Sequence, residues 1–211
     1  MRAKSTFRYL LIPLVIFSLA GPAAAQPPQG PTEQLRNDID AIVSILRTRG
    51  LEAEEKADRI TVLVKRRFDF EAMSRLVLAV NWRRASEEQK ARFSELFADL
   101  LEANYRGRME DYISEYSDEH VEYGSETIRD GRALVETLLV TDAREFPISY
   151  KMLQKGEEWL IYDVEIEGVS LVLNFRSTYD EIVRREGIDR LLERMEEKIR
   201  ERKSASAGKT N

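Results

Sequence analysis

The sequence predicts an α+β fold, with helices gathered before and after an antiparallel sheet rather than threaded between its strands. Three observations predict it. Apolar residues recur at helical spacing through the first half of the chain, alternate with polar ones between residues 120 and 166, and return to helical spacing after residue 173. Helices segregated to the two ends of a run of strands argue against a doubly wound parallel sheet.

The first helical stripe is Leu35, Ile39, Ile42, Val43 and Leu46, ending near Gly50. Ala57, Ile60, Val64 and Phe68 make the second. Asp69 is placed to cap a short third helix carrying Phe70, Met73, Leu76, Val77 and Val80. Ser86-Glu87-Glu88-Gln89 reads as a capping box, with Ser86 as cap and Gln89 reaching back to it. The helix it opens is long: Phe93, Leu96, Phe97, Leu100, Leu101, Tyr105, Met109, Tyr112, Ile113 and Tyr116 hold near-helical spacing, with Gly107 as a candidate bend.

Four strands follow, over residues 120–128, 132–141, 145–153 and 158–166. Three-residue loops at Asp142-Ala143-Arg144 and Lys155-Gly156-Glu157 set the expected register. Val140 then faces Phe146, Leu138 faces Ile148, and Leu134 faces Met152, which in turn meets Leu160. Tyr150 meets Tyr162, Ile148 meets Val164, and Phe146 meets Ile166. One face becomes apolar except for Glu136, and Trp159 and Ile161 fall on the other. A two-residue second loop would oppose Asp163 and Glu165 to the apolar positions, which burial disfavours. The chain closes with helices marked by Leu173, Tyr179, Ile182 and Val183, then by Ile188, Leu191, Leu192, Met195 and Ile199. The helices are expected on one face of a curved sheet.

The ends set the compartment. Arg2, Lys4 and Arg8 precede the short apolar run 10–20, and Ala23-Ala24-Ala25 offers small residues for cleavage before Gln26. The run is too short to span a bilayer. Residues 1–25 are therefore expected to be a signal peptide and 26–31 a Pro-Gln-Gly linker. A single domain should fill 32–203, and 204–211 a disordered tail. Losing three basic residues with the signal takes the balance from 33 basic against 38 acidic to 30 against 38, a net of about −8. Such a surface excludes nucleic acid as a general partner, since phosphates require clustered cations. With no cysteine in the chain, thiol chemistry and cysteine metal sites are excluded too.

Catalytic groups are sparse. His120 is the single histidine, so no two-histidine metal site forms within one chain, and nothing local equips it to assist a serine. Walker, dinucleotide-binding and HExxH motifs are missing. Asp163, Glu165 and Glu167 alternate along a strand and could raise one another's pKa or hold a hard cation; a solvated strand face is the favoured reading. Lys65-Arg66-Arg67 and Arg83-Arg84 suit acidic partners or lipid phosphates, and also suit solvated helix C-termini. The expectation is no catalytic residue, no metal and no cofactor. Eight tyrosines, eight phenylalanines and two tryptophans outnumber the groups that do chemistry, and periodicity alone does not tell a filled core from a hollow one.

A resemblance goes further. Phe68-Asp69-Phe70-Glu71-Ala72-Met73-Ser74-Arg75-Leu76-Val77-Leu78, then Asn81-Trp82-Arg83-Arg84-Ala85-Ser86-Glu87-Glu88-Gln89, resembles the toluene-tolerance (MlaC) family. So do Trp159-Leu160-Ile161-Tyr162-Asp163-Val164, Glu167-Gly168-Val169-Ser170-Leu171-Val172 and Asn174-Phe175-Arg176-Ser177. Ala79 stands where the family often has Gly, and Phe175 where it often has Tyr. The resemblance implies an NTF2-like curved four-stranded antiparallel sheet, with helices packed on one face and an apolar cavity enclosed. It also implies a cofactor-free periplasmic carrier of glycerophospholipid. Its partners would be an outer-membrane lipoprotein complex and an inner-membrane ABC transporter with an MCE-domain subunit, in the service of outer-membrane asymmetry. The expected lipid-binding residues are Phe97, Leu101, Leu138, Ile148, Tyr150, Tyr162, Val164 and Phe175, with Arg176 near the headgroup. A hopanoid carrier, an NTF2-like enzyme using Asp163 or Glu165, and an interaction module with a filled core are the rival readings.

Overall fold

A computed structural model describes residues 29–117 and 119–207; the expected signal peptide lies outside these residues. Helices α1 (Pro31–Arg47), α2 (Ala53–Arg67), α3 (Phe70–Leu78) and α4 (Glu87–Glu115) come first, with a 3-10 turn, Ala79–Arg83, between α3 and α4. Strands β1 (His120–Arg129), β2 (Arg132–Val140), β3 (Glu145–Lys155), β4 (Glu158–Ile166) and β5 (Val169–Ser170) form one antiparallel sheet in that order. Helices α5 (Leu171–Glu186) and α6 (Ile188–Ala207) close the chain.

The helix starts follow the capping logic. Asp69 accepts from the Ala72 N–H at 3.1 Å, and Ser86 and Gln89 complete their reciprocal box. Pro31, expected in the linker, is instead the first residue of α1, where its missing N–H is no loss. The last helix continues four residues into the expected tail, through Ala207. Helix α4 runs unbroken through Gly107.

The sheet differs from expectation in three ways, each with a cause in the turns. It has five strands, because Glu167 and Gly168, at φ +50° and +80°, form a two-residue hairpin that returns Val169-Ser170 onto β4. The β2–β3 loop holds four residues, 141–144, folded about Thr141, whose Oγ1 accepts from the N–H groups of Ala143 and Arg144. That shifts the register by one: Val135 opposes Tyr150 and Ala133 opposes Met152, while Leu138 opposes Pro147. Glu136 is thereby turned off the buried face, which removes the misfit that the expected register carried. The β3–β4 loop is only Gly156-Glu157, with Gly156 at φ +64° in the first position, as a II′ turn requires.

The short loop does not bury Asp163 and Glu165 opposite apolar residues, because a bulge intervenes. Met152 pairs with Ile161 and Lys151 with Asp163, leaving Tyr162 as the extra residue. Beyond it Tyr150 meets Val164 and Ile148 meets Ile166. Trp159 and Ile161 therefore join Met152, Ala133 and Val135 on the buried face, the reverse of the expectation.

Nor do all helices lie on one face. Helix α1 crosses the face carrying Val135 and Met152, buries Leu35 there and packs half-buried Ile39 beside it. Its Gln34 side chain pairs with Trp159 like a neighbouring strand, accepting from the backbone N–H at 3.0 Å and donating to the carbonyl. Helices α3 and α5 meet the sheet at β4 through Tyr162, which packs on the helical cluster of α3–α6. The β4 edge is covered along its length: by Gln34 at Trp159, by the Asp69 N–H donating to the Ile161 carbonyl at 2.8 Å, and by β5.

Candidate functional site

The turn between α2 and α3 positions the site. Phe68 pairs with Ile161 as an isolated parallel bridge, so the sheet fixes where α2 must stop and α3 begin. From there Phe68 touches both the helical cluster and the cluster under α1, and Phe70 stacks on it at 6.1 Å. Helix α4 presents Leu101, Tyr105 and Met109 toward the same point, α2 presents Val64, and α5 begins there with Leu171. Between them lies an almost wholly apolar groove of about 180 Å³.

Charges hold its rim. Lys65 and Glu102 line the groove from α2 and α4 and meet at 2.6 Å, with Asp99 a further 3.4 Å contact for the ammonium. Burial pulls the Lys65 pKa down, but the two carboxylates outweigh it and leave the group above its ordinary value. One turn on, Arg106 of α4 reaches Asp58 of α2 at 2.8 Å and its own Glu110 at 2.9 Å. The groove is thus bounded by partly exposed ion pairs, each worth about 0–1 kcal/mol. Its volume is below the roughly 300–1,000 Å³ of pockets for drug-sized ligands, so a larger guest must part α2 from α4.

A second apolar wall is the sheet face beneath α1. Ile148, Tyr150 and Val164 share it with Tyr123 and Thr137. Burial pushes the Tyr150 phenol up to about 12, with Tyr123 adding to the shift and Thr137 opposing it. The Tyr123 hydroxyl is buried without a protein partner, and the Arg36 guanidinium lies 3.9 Å above its ring.

The expected lipid-binding residues are therefore dispersed. Leu101 lines the groove, and Ile148, Tyr150 and Val164 line the sheet wall. Phe97 is fully buried in the bundle, stacked on Phe93 at 5.8 Å and edge-on to Phe175 at 5.1 Å; Tyr162 packs against the same cluster. Leu138 is removed from the set, since the one-residue register shift puts it on the opposite side of the sheet from Ile148 and Tyr150. Arg176 is exposed on α5 and makes no ion pair among the described residues. Val64, Phe68, Phe70, Tyr105, Met109 and Leu171 line the groove and were not anticipated as site residues. The available signal was α4 itself, whose apolar residues are too many for one stripe and drift from one face to another.

Asp163, the candidate base, is engaged in structure. One carboxylate oxygen accepts from the Val172 N–H at 3.1 Å; the other takes the Ser170 hydroxyl at 2.7 Å and the Lys151 ammonium at 3.0 Å. It anchors the start of α5. Glu165 shares Lys151 at 3.5 Å, and Glu167 pairs with Arg144 across a turn. His120 is exposed at the start of β1. Among the described residues no group of three or more His, Asp or Glu side chains is placed to hold a metal ion, and no helix is long and apolar enough to cross a membrane.

Comparison with known proteins places this arrangement in company. The family described as MlaC protein matches residues 36–197. A toluene tolerance protein ttg2D from Pseudomonas putida is 26% identical over 188 residues, spanning 86% of this chain and 84% of that one. A phospholipid-binding protein from Ralstonia solanacearum, solved in complex with a phospholipid, shares the fold with a TM-score of 0.69 at 18% identity, covering 80% of this chain and 96% of that one.

Proposed function

The chain belongs to the MlaC protein family, and from that premise we propose that it is a periplasmic carrier of glycerophospholipid. In this reading it shuttles lipid between an outer-membrane lipoprotein complex and an inner-membrane ABC transporter with an MCE-domain subunit, and so maintains lipid asymmetry. Residues 1–25 direct its export. The observation that carries the proposal is the apolar groove between α2 and α4, lined by Phe68, Phe70 and Leu101 and rimmed by weak ion pairs. The phospholipid bound by the Ralstonia protein of like fold supports it.

The energetics ask for such a groove. Hydrating an acyl chain costs about 0.8 kcal/mol per CH₂, so a sixteen-carbon chain costs on the order of 12 kcal/mol. A carrier must supply equivalent apolar cover and then give it up. Parting α2 from α4 breaks the interhelical pairs of Lys65 with Glu102 and Asp99 and of Arg106 with Asp58 and Glu54, each worth about 0–1 kcal/mol, while the incoming chain replaces the apolar contacts that are lost. A narrow groove that opens by sliding helices suits a flexible chain better than a rigid polycycle, which favours phospholipid over hopanoid. The engagement of Asp163 by three donors weighs against an enzyme that uses it as a base.

Native mass spectrometry of protein released gently from its own envelope tests the proposal. Co-purified phospholipid is expected on the wild type and should be depleted by Tyr105→Arg, which puts a charge at the groove while altering a residue already 42% exposed. Protein that carries no lipid at any stoichiometry overturns the reading.

A further inference from the structure

The corner where α3 gives way to the 3-10 turn carries a surface that the groove does not use. Met73 and Val77 point inward, and a continuing helix would carry residue 80 inward after them. Ala79, at φ +50° and ψ −115°, breaks that course. Asn81 and Trp82 turn in instead, while Val80 is left 50% exposed beside Leu76 at 41%. Trp82 keeps only 9% of its surface, with Arg75 and Lys90 over its ring at 5.8 and 5.7 Å.

Arginines surround the ridge. A cleft of about 310 Å³ on one side holds Leu76, Arg75 and Arg132; the next holds Arg75, Val80 and Arg83; a third, of about 440 Å³, holds Val80, Arg84 and Arg184. Arg75 and Val80 are each shared by two clefts, so the three make one belt. Two of the acids within it are ion-paired, Asp69 with Lys155 at 2.6 Å and Glu71 with Arg75 at 3.2 Å, while Asp180 accepts from the neutral Asn81 amide at 3.1 Å and leaves one carboxylate against the arginines. Arg83, Arg84, Arg132 and Arg184 make no side-chain ion pair among the described residues. The belt is thus locally cationic on a chain whose net charge is −5.

We propose that this belt is the docking surface for a protein partner that presents carboxylates around an apolar recess. Guanidinium forks pair bidentately with carboxylates, and an aliphatic ridge ringed by arginine matches the apolar centre and polar rim of protein interfaces. A bilayer fits less well. Its flat headgroup layer would leave the clefts beside the ridge unfilled, and the tryptophan that would sit at headgroup depth is turned inward. The proposal rests on the carrier reading, since Phe70 at the other end of α3 lines the groove and a partner gripping Leu76 and Val80 would bear on the same helix.

Photocrosslinking in the source organism tests it. Benzoylphenylalanine replaces Val80 in the full chain, and replaces Ile128, 51% exposed on β1, as the control. The expected result is a light-dependent protein adduct from position 80 and none from 128, with the crosslinked peptide rich in Asp and Glu. Reversing two contacting charges in Arg83→Glu/Arg84→Glu should lower the yield about tenfold, the equivalent of losing roughly 1.4 kcal/mol. Lipid occupancy should be unchanged. Should the double variant misfold, Arg184→Glu on α5 makes the same test with a smaller decrease. Adducts with lipid alone place the ridge on a bilayer and overturn the proposal. An equal yield from position 128, no adduct, or indifference to charge reversal overturns it too. If the acidic adduct persists on protein that never carries lipid, the carrier reading fails and the docking surface stands.

Discussion

Helix α4 passes through two regions packed to different standards. In its first half, Phe93 and Phe97 are fully enclosed with Met73 and Leu191 in the bundle of α3–α6, and Phe93, Phe97, Phe175 and Tyr179 form a continuous aromatic column. In its second half, toward α2, the corresponding side chains are half-buried Met109 and exposed Tyr105, with a groove between them. A filled region holds the fold and an unfilled one is left free to take a guest. The largest effect should separate them. Phe97→Ala leaves a cavity that its neighbours cannot close and should cost about 3–5 kcal/mol in urea unfolding. Tyr105→Ala should cost less than about 1 kcal/mol, as an exposed side chain does, while altering lipid occupancy. Similar losses in the two variants would mean that the regions are not distinct.

Alkaline pH probes the sheet wall and the bundle through their tyrosines. Burial raises the Tyr150 phenol to about 12 on the sheet wall, and raises that of Tyr179 in the bundle as well. The folded state therefore keeps protons that the unfolded chain releases from its ordinary value of 10.0 upward. The stabilisation these groups give is complete below pH 10 and falls between 10 and about 12, at up to about 1.4 kcal/mol per pH unit for each phenol. Tyr150→Phe should flatten that fall in a denaturation series from pH 9 to 11.5. An unchanged slope would show that the sheet wall admits water.

How much of this was legible in the chain follows the same division. Regular helices with polar outer faces announce themselves, and so do caps: Asp69 and Ser86 are read from spacing alone. Strand existence was legible and strand register was not, because register depends on turns. Gly156 in a two-residue loop and the bulge at Tyr162 each shift the pairing by one residue in the same direction, so Tyr150 meets Val164 in place of Tyr162 while the alternation of faces beyond the bulge is preserved. Leu138 was misplaced because the β2–β3 loop holds four residues where three were expected. Phe97 looked like a cavity residue because periodicity reports burial without reporting what does the burying. The groove was hidden because it forms where three apolar clusters meet, Phe68 touching two of them and Val64 and Met109 belonging to the third, and no single helix stripe encodes a junction.

The Ala79 corner offers a smaller, opposite test within the filled region. An alanine at φ +50° and ψ −115° bears strain that glycine escapes, and the residue sits beside the buried Val77 and Leu78. Ala79→Gly should stabilise the chain by about 1 kcal/mol, net of the extra freedom glycine gives the unfolded state. Calorimetry should show a midpoint a few degrees higher, with lipid occupancy unaltered. A lower midpoint would mean that the corner relaxes in solution.

The smallest effect on stability should fall at the groove's rim, where it becomes the largest effect on rate. The Lys65–Glu102 pair is 40% and 26% exposed, so removing it costs at most about 1 kcal/mol. Yet it is one of the few bonds that tie α2 to α4 directly over the groove, and an opening step feels its loss in full. If lipid leaves by that parting of helices, Glu102→Gln should speed exchange of a fluorescent phospholipid severalfold, since 1.4 kcal/mol is a factor of ten. Raising the salt should speed the wild type more than the variant, because partly exposed pairs are screened and the variant keeps only those of Lys65 with Asp99 and of Arg106 with Asp58 and Glu54 between the two helices. Arg92→Gln is the matching control: it breaks an equally short pair with Glu196, at 2.6 Å, on the filled side of the same helix. Exchange that quickens equally in both variants would place the exit elsewhere than between α2 and α4.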